Sequence, residues 1–153
     1  MTEANLKGAN LTQADCSQAI FQGAFLSDAI ATAANFTEAN FKDSKLNRIQ
    51  LESSNLEGTD LTGATLNAAK LSRSTMQGAI FRNARLNKAE LGRANLQQAV
   101  LIEATLIEAY LGRADLRGAD LSGANLIRAE LSSAILAGAI FTGATLPDGS
   151  IQD

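Results

Sequence analysis

Leucine returns at every fifth residue along nearly the whole chain. Residues 112–131 read GRADLRGADLSGANLIRAEL, in which Leu116, Leu121, Leu126 and Leu131 each follow an alanine two places earlier. Of the 30 fifth positions from 6 to 151, leucine fills 21 and phenylalanine five, and every leucine of the protein lies in this register. Alanine fills 24 of the 30 positions two places before them. No insertion interrupts the count, so one repeating unit builds the chain.

A period of five fits neither of the regular secondary structures. On an α-helix, five residues advance by roughly 500°, so successive leucines would point to all sides and no single face could pack. On a strand, an odd period sends alternate leucines to opposite faces. The pattern instead predicts a chain that turns a corner in every repeat, with leucine and alanine facing inward. Gly, Asn and Asp suit the turn backbone, and stacked coils about 4.8 Å apart would pair as neighbouring strands do.

The repeats resemble those of the pentapeptide-repeat proteins, whose motif is A(D/N)LXX. The stretches GADLSGANL (118–126), GRANL (92–96) and EANLKGANL (3–11) match this motif closely. The resemblance implies an all-β solenoid, a right-handed quadrilateral β-helix with four repeats, or 20 residues, in each coil. About 7.5 such coils would make a rod of roughly 36 Å. We expect residues 1–146 to form one continuous β-helix and residues 147–153 to form a C-terminal turn and tail.

Sorting the positions by twenty supports the four-repeat coil. Positions 6, 26 and every twentieth residue up to 146 are all leucine, and the column from 21 to 141 holds four of the five in-register phenylalanines. We expect Cys16 to be a buried small residue. Ile49 takes the place of an inner alanine and is too bulky for a tight coil, so we expect an altered turn there. The end coils lack a cap, which predicts end-to-end self-association.

The composition argues against catalysis. With no histidine in the chain, Ser-His-Asp and Cys-His catalysis are impossible and ordinary zinc sites nearly so. The Gly-rich phosphate-binding motifs of nucleotide enzymes do not occur. No apolar run approaches the roughly 18 residues of a membrane span, and the first residues lack the blocks of a secretory signal. We expect a protein that is not an enzyme, without cofactor, metal or membrane contact, in the cytoplasm.

A basic ridge is the first candidate surface for a partner. Arg73, Arg93 and Arg113 fall at the same place in three successive coils, and Lys70 lies nearby. The spacing predicts a row of cations for an acidic protein patch or for phosphates. The alternative is that the arginines extend into solvent and pair with Glu90 and Glu130 of the same face.

An outward apolar cluster is the second candidate surface. It consists of Ile80, Val100, Ile102, Ile107, Ile127 and Tyr110. Exposed apolar residues that lie together often mark a partner surface. The alternative is that aliphatic side chains stacked along the ladder stabilise it without any partner.

These patterns favour a non-catalytic scaffold or regulatory module that binds another protein. The family that the chain resembles is abundant in cyanobacteria, and some members mimic duplex DNA and bind type II topoisomerases such as gyrase. That mimicry requires a strongly negative rod, since DNA carries one charge per roughly 1.7 Å. The net charge here is only −3, and the all-leucine face has six cations against three acids. The charge therefore disfavours the gyrase alternative, and the lack of stacking aromatics disfavours direct nucleic-acid binding.

Overall fold

One five-residue pattern recurs without a break through the chain. The computed structural model of the protein describes residues 3–153. Each repeat has a single bridging residue with one residue on either side, followed by a two-residue turn. Across these residues there is no α-helix and no strand longer than one bridging residue. All bridges from Asn5–Phe25 to Asn125–Thr145 are parallel and join residues 20 apart. The chain is therefore a β-solenoid that rises by one coil every four repeats.

Backbone hydrogen bonds satisfy four of the five N–H groups in a typical repeat. The central residue and the second turn residue donate to the next coil, as Leu86 does to the carbonyl of Thr105 at 2.7 Å. The bridging residue donates to the preceding coil, as Arg85 does to the carbonyl of Ala64 at 3.0 Å. The inner alanine donates to the central residue of its own repeat and closes the turn. Almost every coil is thus tied to both neighbours.

Asparagine and aspartate side chains satisfy the fifth N–H group, which belongs to the first turn residue. Asn95 Oδ1 accepts the N–H of Gln97 at 3.1 Å, and Asp120 Oδ1 accepts that of Ser122 at 2.9 Å. An acceptor two residues before the donor is the geometry of an Asx turn. The motif has Asp or Asn before leucine because this N–H has no backbone acceptor.

An asparagine ladder does the same work in one column, where the bridging residues are Thr65, Arg85 and Thr105. Asn47, Asn67 and Asn87 stack in one column, and each Oδ1 accepts the N–H of the residue twenty places later. The three distances are 3.0, 3.2 and 3.0 Å. The side chains therefore join successive coils as well as single turns.

The second turn residue has a positive φ in every repeat from Glu3 to Gly143. The angles lie between 55° and 72° from Glu3 to Gly143, and twenty of these residues are not glycine. A positive φ at the third residue of the turn is what a type II turn requires. Residues with a Cβ adopt it at a cost, which the hydrogen bonds to both neighbouring coils offset.

The in-register side chains fill a continuous core. Phe21 and Phe41 stack with ring centroids 4.7 Å apart, and the Phe36 ring meets both of them edge-on. Cys16, in the first coil, packs against this core but stays half-buried, so the expectation of a buried cysteine is only partly met. Burial nevertheless raises the pKa of its thiol.

The expected distortion at Ile49 is wrong. Ile49 is fully buried at 0% exposure, and its N–H closes an ordinary turn on the carbonyl of Leu46 at 3.1 Å. The residues twenty places before and after it are Ala29 and Ala69, which leave room for the larger side chain. The space available to an inward side chain therefore depends on the neighbouring coils as much as on the residue itself.

The end coils are less covered than the middle. Leu6 and Leu11 are half-buried in the first coil, and Leu136 is 38% exposed in the last. The tail returns to the last coil through an antiparallel bridge between Thr145 and Ile151. The expected end-to-end contact would cover these apolar residues. Residues 3–153 contain no helix long and apolar enough to cross a membrane.

The Asx turns make a prediction about stability. Replacing Asn95→Ala should lower the free energy of unfolding by about 1 kcal/mol, because the N–H of Gln97 loses its acceptor. The matched control is Gln50→Ala, since Gln50 occupies the same place in its repeat and its side chain accepts no such bond. Urea unfolding followed by circular dichroism measures both. Equal losses in the two variants would contradict this account of the motif.

Candidate partner-binding site

One side of the rod carries the exposed tyrosine, and we call it the tyrosine face. Its outward residues are the bridging ones, which point away from the core because alanine and leucine on either side are buried. They are Ile30, Gln50, Lys70, Glu90, Tyr110 and Glu130. The turn that follows each of them forms one edge of the rod. We call residues 72–73, 92–93 and 112–113 of this edge the arginine corner.

Two glycines of the arginine corner form a floor under the Tyr110 ring. Gly92 and Gly112 are buried, and unlike the other ten glycines they do not have a positive φ. A Cβ on Gly92 would lie 2.7 Å from Tyr110 Cε1, and one on Gly112 would collide with the phenol end of the same ring. These glycines are therefore required for space, and the ring lies against the backbone of two successive coils. Tyr110 remains 43% exposed.

Arg73, Arg93 and Arg113 stand in a column beside this floor. Each is the second residue of its turn, with φ of 60°, 58° and 59°. Hydrogen bonds of 3.0 Å from Arg73 N–H to Gly92 O and from Arg93 N–H to Gly112 O hold the coils in register. The three arginines are exposed, and within residues 3–153 their side chains make no hydrogen bond or ion pair.

The alternative that these arginines pair with Glu90 or Glu130 is not what the structure shows. The Glu130 carboxylate instead accepts the hydroxyl of Ser132 at 2.7 Å. Glu90 is exposed, and its carboxylate has no cation within ion-pair distance in the part of the chain described. The positive charge of the column is therefore available to a ligand.

Three of the five other arginines of the rod form ion pairs with acids. Arg48 makes two hydrogen bonds to Asp28, at 2.7 and 2.8 Å, and Arg117 contacts Asp115 at 2.6 Å. Hydrogen bonds from these guanidinium groups lower the pKa of Asp28 and Asp115 below the usual range. Arg82 and Arg85 are also unpaired within residues 3–153, so what distinguishes the arginine corner is its column of unpaired arginines in three successive coils.

Tyr110, Arg73 and Arg93 share one shallow cleft of about 200 Å³, which Arg113 does not line. Its lining residues are Ser72, Arg73, Gly92, Arg93, Tyr110 and Gly112. The sequence assigned Tyr110 to the apolar cluster and the arginines to a separate ridge, whereas the structure brings Tyr110 together with two of these arginines. Lys70 is exposed on the tyrosine face and does not line the cleft. The glycine floor was not predicted from the sequence. A signal was present, because Gly92 and Gly112 are the only two glycines at the first turn position of a repeat.

The apolar cluster spreads over several sides of the rod. Ile80 and Val100 are bridging residues on the side that precedes the all-leucine face, and Ile102 lies in the turn between these two sides. Ile107 and Ile127 lie in the next turn, between the all-leucine face and the tyrosine face. All five isoleucine and valine side chains are half-buried, and only Tyr110 is exposed.

Comparison with protein families places the repeats in a known group. A family model described as "Pentapeptide repeats (8 copies)" matches residues 79–118 and 109–146. A second, described as "Pentapeptide repeat region", matches residues 1–76. A search of curated proteins found no match.

Solved structures resemble the chain as well. A pentapeptide repeat protein from the Arabidopsis thaliana thylakoid lumen is 31% identical, with 67% of this chain and 71% of that chain covered and a TM-score of 0.62. QnrB1, a plasmid-mediated fluoroquinolone resistance protein, is 23% identical in its trypsin-treated R167E form, with 95% and 79% covered and a TM-score of 0.70. HetL, involved in heterocyst differentiation regulation in the cyanobacterium Nostoc sp. strain PCC 7120, is 34% identical, with 99% and 89% covered and a TM-score of 0.46.

The glycine floor makes a prediction about Tyr110. Replacing Gly92→Ala should push the ring off the backbone, and acrylamide should then quench tyrosine emission more strongly than in the wild type. Tyr110 is the chain's one tyrosine and there is no tryptophan, so the emission reports this site alone. The control Gly78→Ala, where a Cβ meets nothing within 4 Å, should leave quenching unchanged while its positive φ lowers stability by about 1 kcal/mol. Unchanged quenching in Gly92→Ala would argue against the floor.

Proposed function

The chain belongs to the pentapeptide-repeat family, and on that basis we propose that it is a non-catalytic, rigid scaffold that binds another protein. We further propose that it has the right-handed quadrilateral form of the family with about 7.5 coils, that residues 1–146 act as one rod closed by residues 147–153, and that it works in the cytoplasm. Members of this family are generally non-catalytic scaffolds, and no enzyme family is indicated.

The observation that carries this proposal is the ladder of bridges every 20 residues from Asn5 to Thr145. Side chains at equal places in successive repeats are held in straight columns by main-chain hydrogen bonds of about 2.7 to 3.0 Å. Such columns present a fixed surface without an ordering cost on binding, which favours recognition of another folded protein. We propose that the partner contacts the side of the rod where Ile107, Ile127 and Tyr110 lie.

Polar replacement of two isoleucines tests this surface. Ile107 and Ile127 extend the column that contains the asparagine ladder, so Ile107→Asn with Ile127→Asn should keep the fold. Removing this apolar area should weaken partner binding by at least about tenfold. The measurement is affinity purification from native cells with quantitative mass spectrometry, followed by titration of the purified partner. Circular dichroism and the melting temperature should match those of the wild type.

A matched control separates this surface from apolar contact in general. Ile135→Asn with Ile140→Asn removes two exposed isoleucines, of 47% exposure each, from two other sides of the rod. This control should bind the partner as the wild type does. If both double variants bind equally well, the partner surface lies elsewhere. If no protein is retained by the wild type, the scaffold proposal fails.

The gyrase alternative draws on the family and on the likeness in fold to QnrB1, and the charge pattern speaks against it. Carboxylates that would have to mimic DNA phosphates form ion pairs with cations instead. Examples are Lys42–Asp60, with 3.1 Å between nitrogen and oxygen, and Arg48–Asp28, with 2.7 Å. The net charge is only −3.

We therefore expect no effect on gyrase. At low micromolar concentration the protein should leave DNA supercoiling unchanged, because it lacks the dense negative charge of a duplex. The control is a family member that inhibits the same enzyme preparation. Inhibition at equal concentrations would restore the topoisomerase hypothesis.

A further inference from the structure

We propose that the cleft beside Tyr110 binds one phosphorylated side chain of the partner protein, with Arg73 and Arg93 as its main ligands and Arg113 at its edge. This inference rests on the proposed scaffold function, because it gives the chemistry of one contact that the scaffold makes. It starts from a local fact: Gly92 and Gly112, the two glycines of the rod without a positive φ, lie under the Tyr110 ring and in the same turns as the unpaired Arg93 and Arg113.

The arginine column suits a compact dianion. A phosphomonoester carries a charge of about −1.5 to −2 at neutral pH and has three acceptor oxygens. Guanidinium groups match those oxygens with two parallel hydrogen bonds each. Because Arg73 and Arg93 leave the backbone one coil apart, about 4.8 Å, their side chains can reach the same group. No acid within residues 3–153 competes for them through an ion pair.

Tyr110 supplies a second kind of contact. Its ring is fixed against Gly92 and Gly112, and its hydroxyl makes no hydrogen bond within the described residues. That hydroxyl lies at the glycine floor of the cleft, where it can donate to a phosphate oxygen. The exposed part of the ring offers an apolar surface to the chain that bears the phosphate.

The surrounding charges favour a single anion over a polyanion. Glu90 and Glu130 are exposed on the tyrosine face on either side of Tyr110, and Glu52 lies one coil before Ser72 on the same edge. A nucleic-acid strand running along the rod would meet these acids. One phosphate between Arg73 and Arg93 would not have to pass them. We therefore assign the cleft to a phosphorylated protein side chain and treat nucleic acid as an outcome of the test.

Tyrosine emission provides the assay. The probes are a capped Gly-Ala-Ser-Ala-Gly peptide with phosphorylated serine, the same peptide with plain serine, the same peptide with glutamate, inorganic phosphate, and single-stranded oligothymidine. Each is titrated into the full chain at low ionic strength, where charge contacts are least screened. The phosphopeptide should change Tyr110 emission saturably and bind at least about tenfold more tightly than the serine and glutamate peptides and inorganic phosphate.

Variants identify the ligands. Arg93→Gln should weaken phosphopeptide binding by at least about fivefold. Glutamine is compatible with this turn, since Gln98 has the same position in its repeat with φ of 57°. The matched control is Arg85→Gln, because Arg85 is exposed and unpaired in the described chain but lies on the all-leucine face. This control should bind as the wild type does.

Several results would overturn the inference. They are no saturable response up to about 10 mM phosphopeptide, an unchanged affinity in Arg93→Gln, or an equal loss in Arg85→Gln. Equal affinity for inorganic phosphate would make the cleft a site for free anions, and tighter binding of oligothymidine would make it a nucleic-acid site. The partner could also be lost when Ile107 and Ile127 are replaced and yet bind Arg93→Gln as tightly as the wild type. That result would support the scaffold function and contradict this inference.

Discussion

The structure depends on hydrogen bonds between residues about twenty apart. Each central residue donates forward to the next coil and each bridging residue donates back, so the spacing of coils and the orientation of every side chain are fixed together. This constraint explains why leucine and alanine alternate with polar residues at a period that no helix or strand uses. It also explains why the turns accept a positive φ in residues such as Arg93 and Gln98. Relaxing one turn would break contacts with two neighbouring coils.

The arrangement of the core followed directly from the sequence, because inward positions are fixed by counting in fives. What counting could not provide was the space around each position. Ile49 fits without a distorted turn since Ala29 and Ala69 lie above and below it, and Cys16 is only half-buried because it lies in the first coil. Room in a solenoid is shared between residues twenty apart, so the volume of a single side chain is a poor guide.

The candidate site shows the same limit. The alignment of its arginines could be predicted from their spacing. The direction of the Tyr110 side chain could not be predicted, because the side chain of a bridging residue can lie along its own coil or across the next turn. The meaning of Gly92 and Gly112 depends on that direction. A glycine in a solenoid is usually explained by its backbone angle, and these two are explained by the ring that covers them. Their unusual place within the turn was the signal available in the sequence.

The bridges at intervals of twenty also limit how such a chain can change in length. Deleting a single five-residue repeat would leave the interior sealed, yet every later column would move round to the adjacent side. Tyr110 and Arg93 would keep their place relative to each other only if both lay on the same side of the deletion. Gains or losses of whole coils preserve the entire surface pattern. Length variants that retain binding should therefore differ by multiples of four repeats.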